Sequence, residues 1–324
     1  MTLTVRIDRH GGPEVLELAD VEVGAPGPGE VRLRQTAIGV NFIDTYQRSG
    51  LYPLKLPSGL GSEAAGVIED LGAGVKDLAP GDRVAYYGGP LGAYAERRLI
   101  PAERVLRLPE HVSDESAAAL MLKGMTAYYL LHLTFPLRAG QSLLVHAAAG
   151  GVGSVLVPWA RSIGAMVIGT AGGAAKCELA KAYGCDHVID YRSQDFVAEV
   201  KRLTGGRGVD VVYDSVGKDT LPGSLDCLRR RGMAVSFGNA SGKPAAVEPG
   251  TLNAKGSLYL TRPSLHHYTA TRAELESCAA ALFEAIGKEI VRADIRQRYA
   301  LRDAARAHAA LEARQTTGTT LLIP

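Results

Sequence analysis

Two hydrophobic textures divide the chain. Through the first 120 residues, apolar and polar positions alternate in short runs at 5–7, 31–37, 64–71 and 83–86. Gly and Pro break these runs at Pro26-Gly27-Pro28-Gly29 and Pro80-Gly81-Asp82. A period of two marks half-buried strands, and the punctuation marks turns. A compact, partly closed antiparallel unit is predicted here. The texture changes near Ser113, where Ser113-Asp114-Glu115 supplies a capping hydroxyl and two acids for a first helical turn. From Ser142 on, strands (143–146, 166–170, 187–189, 209–214, 233–237, 257–261) alternate with helices (152–163, 174–183, 195–203, 220–228). Six strands with crossover helices predict a doubly wound parallel sheet. Pro158 falls inside the first of these helices and predicts a kink. The chain then returns to a helix over 272–287, a polar connection, a helix over 301–313 and a last strand over 319–323. That strand is expected to pair with the N-terminal unit.

The strand beginning at Ser142 runs straight into Ala147-Ala148-Ala149-Gly150-Gly151-Val152-Gly153, and these run straight into the periodic segment Val152, Val155, Leu156, Trp159, Ile163. Strand, tight turn and helix are the context that gives a dinucleotide fingerprint its meaning. Glycines there let the backbone approach a pyrophosphate, which sits on the open N–H groups of the helix start. Ala148 takes the first glycine place of G-x-G-x-x-G; Gly150 and Gly153 keep the other two.

Composition narrows the classes. The 324 residues are 46% hydrophobic and 22% charged, with a net charge of +2. Near-neutrality gives no ground for a nucleic-acid partner or a membrane surface. Arg229-Arg230-Arg231 reads as a solvated helix end. No apolar stretch reaches membrane-span length and the N-terminus lacks a signal-peptide layout, so a cytoplasmic protein is expected. The four cysteines, Cys177, Cys185, Cys227 and Cys278, form no C-x-x-C pair and read as reduced, packed thiols.

Several runs together resemble one family. They are Asn41-Phe42-Ile43-Asp44-Thr45-Tyr46, Leu60-Gly61-Ser62-Glu63-Ala64-Ala65-Gly66, the glycine turn, Val212-Tyr213-Asp214-Ser215-Val216-Gly217, Ser236-Phe237-Gly238-Asn239 and Leu260-Thr261-Arg262-Pro263-Ser264. The chain resembles the medium-chain dehydrogenase/reductase superfamily, and within it the bacterial NADPH:quinone reductases related to zeta-crystallin. The resemblance implies an α/β fold in which a Rossmann doubly wound parallel six-stranded sheet is inserted in a β-rich, GroES-like catalytic domain. Residues 1–123 with 264–324 would form the catalytic domain and residues 124–263 the NADPH-binding domain. It also implies a homodimer joined along the sheet edge at 257–261, and a quinone held in a cleft between the domains.

For the cofactor, no acid occurs between Gly164 and Cys177, where an NAD enzyme places Asp or Glu for the ribose hydroxyls; Lys176 opens the next helix instead. A missing carboxylate and a present cation suit a 2′-phosphate, hence NADPH. The resemblance assigns the phosphate to Gly172, Lys176 and Tyr191. It extends the cofactor set to Asn41, Thr126, Ala149, Gly150, Gly151, Val152, Ser215, Phe237, Gly238, Asn239, Arg262, Pro263 and Arg314.

Zinc dehydrogenases of the superfamily hold their catalytic metal with Cys, His and Cys. Here the first Cys is replaced by Asn41 and the His by Ser62, and no cysteine precedes Cys177. Neither a catalytic nor a structural zinc site can be built from these residues. His266-His267 is expected to be extended, its side chains pointing apart. Without a Lewis acid, an already activated electrophile such as a quinone is the better substrate. The resemblance offers Asn41, Tyr46, Tyr52 and Arg262 to bind it, and no residue stands out as a catalytic acid. An NADPH-dependent reductase of enals or enones shares this logic. A non-catalytic, crystallin-like or RNA-binding role is the remaining alternative, and the retained cofactor turn and the neutral surface weigh against it.

Overall fold

A computed structural model describes all 324 residues. The chain divides into two compact units, Met1–Met125 with Thr269–Pro324, and Thr126–Tyr268.

The first unit is built on a seven-stranded sheet. Its continuous path runs Ile295–Ala300, Thr319–Ile323, Glu30–Val40, Glu63–Leu71, Arg83–Tyr87, Val105–Arg107, and Arg97–Pro101 pairs with Glu30–Val40 off that path. Thr319–Ile323 joins antiparallel to Glu30–Val40, with Thr320 opposite Val40 and Leu322 opposite Ile38. A smaller sheet pairs Thr2–Ile7 with Glu17–Val21 and Ser58–Gly59. Inward residues of both sheets, among them Val5, Ile7, Leu33, Ile38, Val84, Tyr86 and Ile100, share one core. Burying such side chains stabilises each by about 1.5–3 kcal/mol.

One strand here escapes the hydrophobic pattern. Ile295–Ala300 (IRQRYA) was expected to be a polar connection, but it pairs parallel with Thr319–Ile323. It is the edge of its sheet and alternates half-buried and exposed positions. Only one face has anything to pack on, so arginine and glutamine are tolerated.

In the second unit the sheet is wholly parallel, with strands in the order His187–Asp190, Met166–Ala171, Ser142–Val145, Val209–Asp214, Leu228–Ser236, Tyr259–Thr261. In chain order this is 3-2-1-4-5-6, the doubly wound arrangement, whose switch point lies between Ser142–Val145 and Val209–Asp214. The two central strands, Ser142–Val145 and Val209–Asp214, are buried on both faces, which is why apolar residues dominate them. Tyr259–Thr261 is an edge strand. Helix Gly153–Ser162 runs through Pro158 as one element. The arginine run is corrected: helix Leu221–Asp226 ends early, and Arg229–Arg231 belong to strand Leu228–Ser236. Arg229 there pairs with buried Asp210 at 2.6 Å. His266 and His267 are also corrected, lying in a short helix, Leu265–Tyr268, rather than an extended segment. No helix is long and apolar enough to cross a membrane.

Candidate active site

The glycine turn follows strand Ser142–Val145 and precedes helix Gly153–Ser162. The left-handed residue of this turn is Ala147, at φ 55°, not Ala148. This explains why alanine is tolerated at the first glycine place: position 148 needs no positive φ, and its N–H bonds Thr170 O at 3.0 Å. Gly153 is needed for space, since a Cβ there would stand 2.6 Å from Ala147 O. Gly150 N–H closes the turn onto Ala147 O, and Ser154 N–H reaches Gly150 O. The N–H groups of Gly151 and Val152 take no backbone partner. Open donors at a helix start form an anion cradle, so the turn fits a pyrophosphate.

Beneath the turn, His146 is buried between two strands. Ser224 Oγ donates to the Asp214 carboxylate at 2.7 Å, so it accepts from His146 Nε2 at 3.0 Å; His146 Nδ1 then accepts from Thr170 Oγ1 at 3.0 Å. Burial lowers the imidazole's pKa, which suits this neutral tautomer. The chain of bonds ties the ends of three strands under the cofactor turn.

At the end of strand Met166–Ala171, a Cβ on Gly172 would overlap the Tyr191 ring, 2.6 Å from Cζ. Lys176 lies half-buried on the following helix, Ala174–Tyr183. An acid is present nearby, Asp190, but its Oδ1 accepts the N–H groups of Gly173 and Arg192, both at 3.0 Å. These bonds hold the carboxyl below its usual range. Arg192 brings a second cation, its Nη1 lying 3.3 Å from where a Gly173 Cβ would stand. Sequence reasoning missed Arg192. The only signal was its place beside Tyr191.

The third cofactor element is a pair of turns after neighbouring strands. A Cβ on Gly238 would lie 2.9 Å from Ser215 Cα, so the chain beyond Asp214 and the chain beyond Ser236 are in contact. Phe237 N–H bonds Asp214 O and Ala240 N–H bonds Ser215 O. Arg262, exposed after strand Tyr259–Thr261, donates to Ser236 O at 2.8 Å, with Pro263 beside it. Ala149 and Thr126 are buried in this unit.

Asn41, Tyr46, Tyr52 and Arg314 belong to the first unit. Asn41 is the N-cap of helix Phe42–Ser49. Its backbone N–H reaches Asp44 Oδ2 at 2.9 Å, and its side-chain Nδ2 donates to Glu63 Oε1 at 2.7 Å. Glu63 is fully buried and also takes Leu122 N–H at 2.6 Å and Lys123 Nζ at 3.1 Å. Gly39 makes room for it, because a Cβ there would strike the Glu63 carboxyl carbon at 2.6 Å. Tyr46 and Tyr52 have ring centroids 5.2 Å apart and form one aromatic wall. Arg314 is exposed after helix Ala304–Glu312, at φ 57°.

Residues 27–110 match the alcohol dehydrogenase GroES-like domain, and residues 151–295 match the zinc-binding dehydrogenase family. A quinone oxidoreductase of Pseudomonas aeruginosa is 51% identical over all of both chains. A 2-haloacrylate reductase of Burkholderia sp is 48% identical over all of this chain and 99% of its own. The crystal structure of Escherichia coli quinone oxidoreductase complexed with NADPH superposes with a TM-score of 0.97 at 50% identity, covering both chains fully. The fold and the cofactor turn define a medium-chain dehydrogenase/reductase. Within that superfamily, the chain belongs to the quinone oxidoreductase family.

A zinc ion, which the second family description implies, does not fit these residues. Positions 41 and 62 carry an amide and a hydroxyl, and no group of three His, Cys, Asp or Glu side chains could hold a metal. All four thiols are buried, and burial pushes those of Cys185 and Cys227 up to about 12.

Proposed function

We infer that the protein reduces quinones with NADPH and without zinc. When bound, NADPH supplies a hydride from its nicotinamide; the chain's own residues bind, orient and protonate. The N–H groups of Gly151 and Val152 hold the pyrophosphate beside Ala149 and Gly150. Gly172, Lys176, Tyr191 and Arg192 receive the 2′-phosphate. Ser215, Phe237, Gly238, Asn239, Pro263 and Thr126 line the rest, with Asn41, Arg262 and Arg314 contributing from their segments. For the quinone, Tyr46 and Tyr52 offer an apolar wall of two rings inclined at 58°, with polar tips. The observation that carries this assignment is Asn41: its amide, oriented by a buried carboxylate, stands where zinc relatives place a metal ligand. Such an amide can donate a hydrogen bond to a carbonyl oxygen but cannot hold a metal strongly.

The 2-haloacrylate reductase relative favours one second possibility, reduction of an activated carbon–carbon double bond in an enal, enone or haloacrylate. Steady-state oxidation of NADPH and NADH by metal-chelated protein separates the two. Fast NADPH turnover with 1,4-benzoquinone supports the quinone assignment. Turnover confined to an acyclic enal or 2-chloroacrylate overturns it.

Domain roles follow the two units, with the cofactor on residues 126–268 and the substrate residues Asn41, Tyr46 and Tyr52 on the other. The unpaired edge at Tyr259–Thr261, with Tyr259 exposed, supports a homodimer formed by edge pairing. Four free thiols suit the cytoplasm, which keeps such groups reduced. With a net charge of +2, no nucleic-acid partner is expected.

A further inference from the structure

Lys123 is a buried cation with no role in the chemistry above. Its ammonium carries three donors and makes one hydrogen bond, to Glu63 Oε1 at 3.1 Å. That same oxygen accepts Asn41 Nδ2 at 2.7 Å. The ammonium and the amide therefore stand side by side on one carboxylate. Glu63 is enclosed completely, while Asn41, Lys123 and Tyr46 each keep a small exposed area, 5%, 5% and 9%.

We propose that Lys123 is the proton donor to the substrate oxygen, beside the Asn41 amide, with Glu63 as the positioning residue. The assignment rests on the quinone-reductase function inferred above. Reducing a quinone takes two electrons and two hydrogens. The hydride brings both electrons and one hydrogen; the Lys123 ammonium gives the second, as a proton, to the ring oxygen. Hydroquinone, NADP⁺ and a neutral amine result, and the amine recovers its proton from water. Before transfer, the ammonium attracts the negative charge growing on that oxygen, and its burial weakens solvent screening of that attraction. Glu63 fixes the Lys123 side chain through one N–H and leaves two for substrate.

Lys123→Met alone strands a buried carboxylate and risks unfolding. The informative protein is the double variant Glu63→Gln with Lys123→Met, which removes both charges. It is expected to remain folded and to keep its NADPH affinity, with some loss of melting temperature because the new amide nitrogen meets Leu122 N–H or the Asn41 amide. It is expected to lose kcat with 1,4-benzoquinone by about 100-fold or more, with KM little changed. Lys123→Arg keeps charge but cannot release a proton, and is expected to lose kcat comparably. Titration with 4-nitrophenolate, a mimic of the half-reduced ring, reads the charge without turnover. Wild type and Lys123→Arg bind it, and the double variant binds about tenfold more weakly. A double variant turning over within about threefold of wild type would reduce Lys123 to a counter-ion and overturn the proposal. Equal phenolate binding by all three proteins would overturn it as well. If the wild type fails to reduce any quinone, the quinone assignment falls separately, and the phenolate titration still decides whether Lys123 faces a substrate oxygen.

Discussion

Arg48 and His308 are 260 positions apart in the chain, and Arg48 Nη1 lies 3.0 Å from His308 Nδ1. Arginine can only donate, so Nδ1 accepts and Nε2 carries the imidazole proton. That proton is shared with Tyr94 Oη at 2.9 Å, and Tyr94 in turn donates to Asp44 Oδ2 at 2.9 Å. Arg48 continues outward to Glu312 at 2.6 Å. The helix that begins at Asn41 is thus tied to helix Ala304–Glu312 by a buried polar chain of fixed polarity. Burial, then the Arg48 charge, pushes His308 down to about 3. Burial pushes Asp44 up to about 7.

These two groups act on stability with opposite sign. Between pH 3.8 and 7 folded Asp44 holds a proton that the unfolded chain has released, so its contribution falls as pH rises. Between about 3 and 6.5 the unfolded chain holds a proton that folded His308 refuses, so stability rises with pH. Near pH 5 the two slopes cancel. Asp44→Asn leaves only the histidine effect while keeping an acceptor for Tyr94. The variant should lose about 1.4 kcal/mol per pH unit more than wild type as pH drops from 6.5 to 4. Urea unfolding followed by circular dichroism at several pH values measures this; parallel profiles would refute it.

Lys176→Ala should weaken NADPH while sparing NADH, because only NADPH carries the 2′-phosphate. A lost hydrogen bond to a charged group corresponds to about 1.5–3 kcal/mol, or roughly 10- to 150-fold in affinity. Arg192→Ala should behave alike. Isothermal titration with both nucleotides is the check. Equal losses for NADPH and NADH would remove either residue from the phosphate site.

Gly172→Ala tests the same pocket from the backbone side. The new methyl would occupy the space of the Tyr191 ring end. Tyr191 is 43% exposed and can swing outward, so stability should change by less than about 1 kcal/mol. NADPH affinity should nonetheless fall about tenfold as the tyrosine leaves its place. An unchanged dissociation constant would show that Tyr191 does not touch the cofactor.

Gly153→Ala has no such escape. Its methyl meets backbone, Ala147 O and the Ala148 carbonyl carbon, both at 2.6 Å. Strand and helix must separate, at a cost of about 1–3 kcal/mol. The single tryptophan, Trp159, packs on Tyr128 at 5.8 Å between ring centroids, within the same unit. Its fluorescence reports the transition directly. A melting temperature within a degree of wild type would contradict the close packing.

Local periodicity and turn chemistry were legible in the chain before it was folded. Alternation marked strands such as Glu30–Val40, runs dominated by apolar residues marked the parallel sheet, and Ser113 marked its helix start, where its Oγ does accept Ser116 N–H. The dinucleotide turn was legible because a strand, a glycine cluster and a helix must follow one another in sequence. The remaining features depend on contacts between distant segments. Ile295–Ala300 became a strand because a neighbour offered it an edge, which its polar pattern could not announce. Asp190 turned its carboxylate onto two backbone N–H groups, leaving Arg192 and Lys176 to set the charge of the pocket. Glu63 meets Lys123 and Arg48 meets His308 across 60 and 260 positions. Hydrogen bonds between buried polar groups leave no period in the sequence. Such a group satisfies its bonding wherever the fold delivers a partner, and only the packed chain specifies which partner that is.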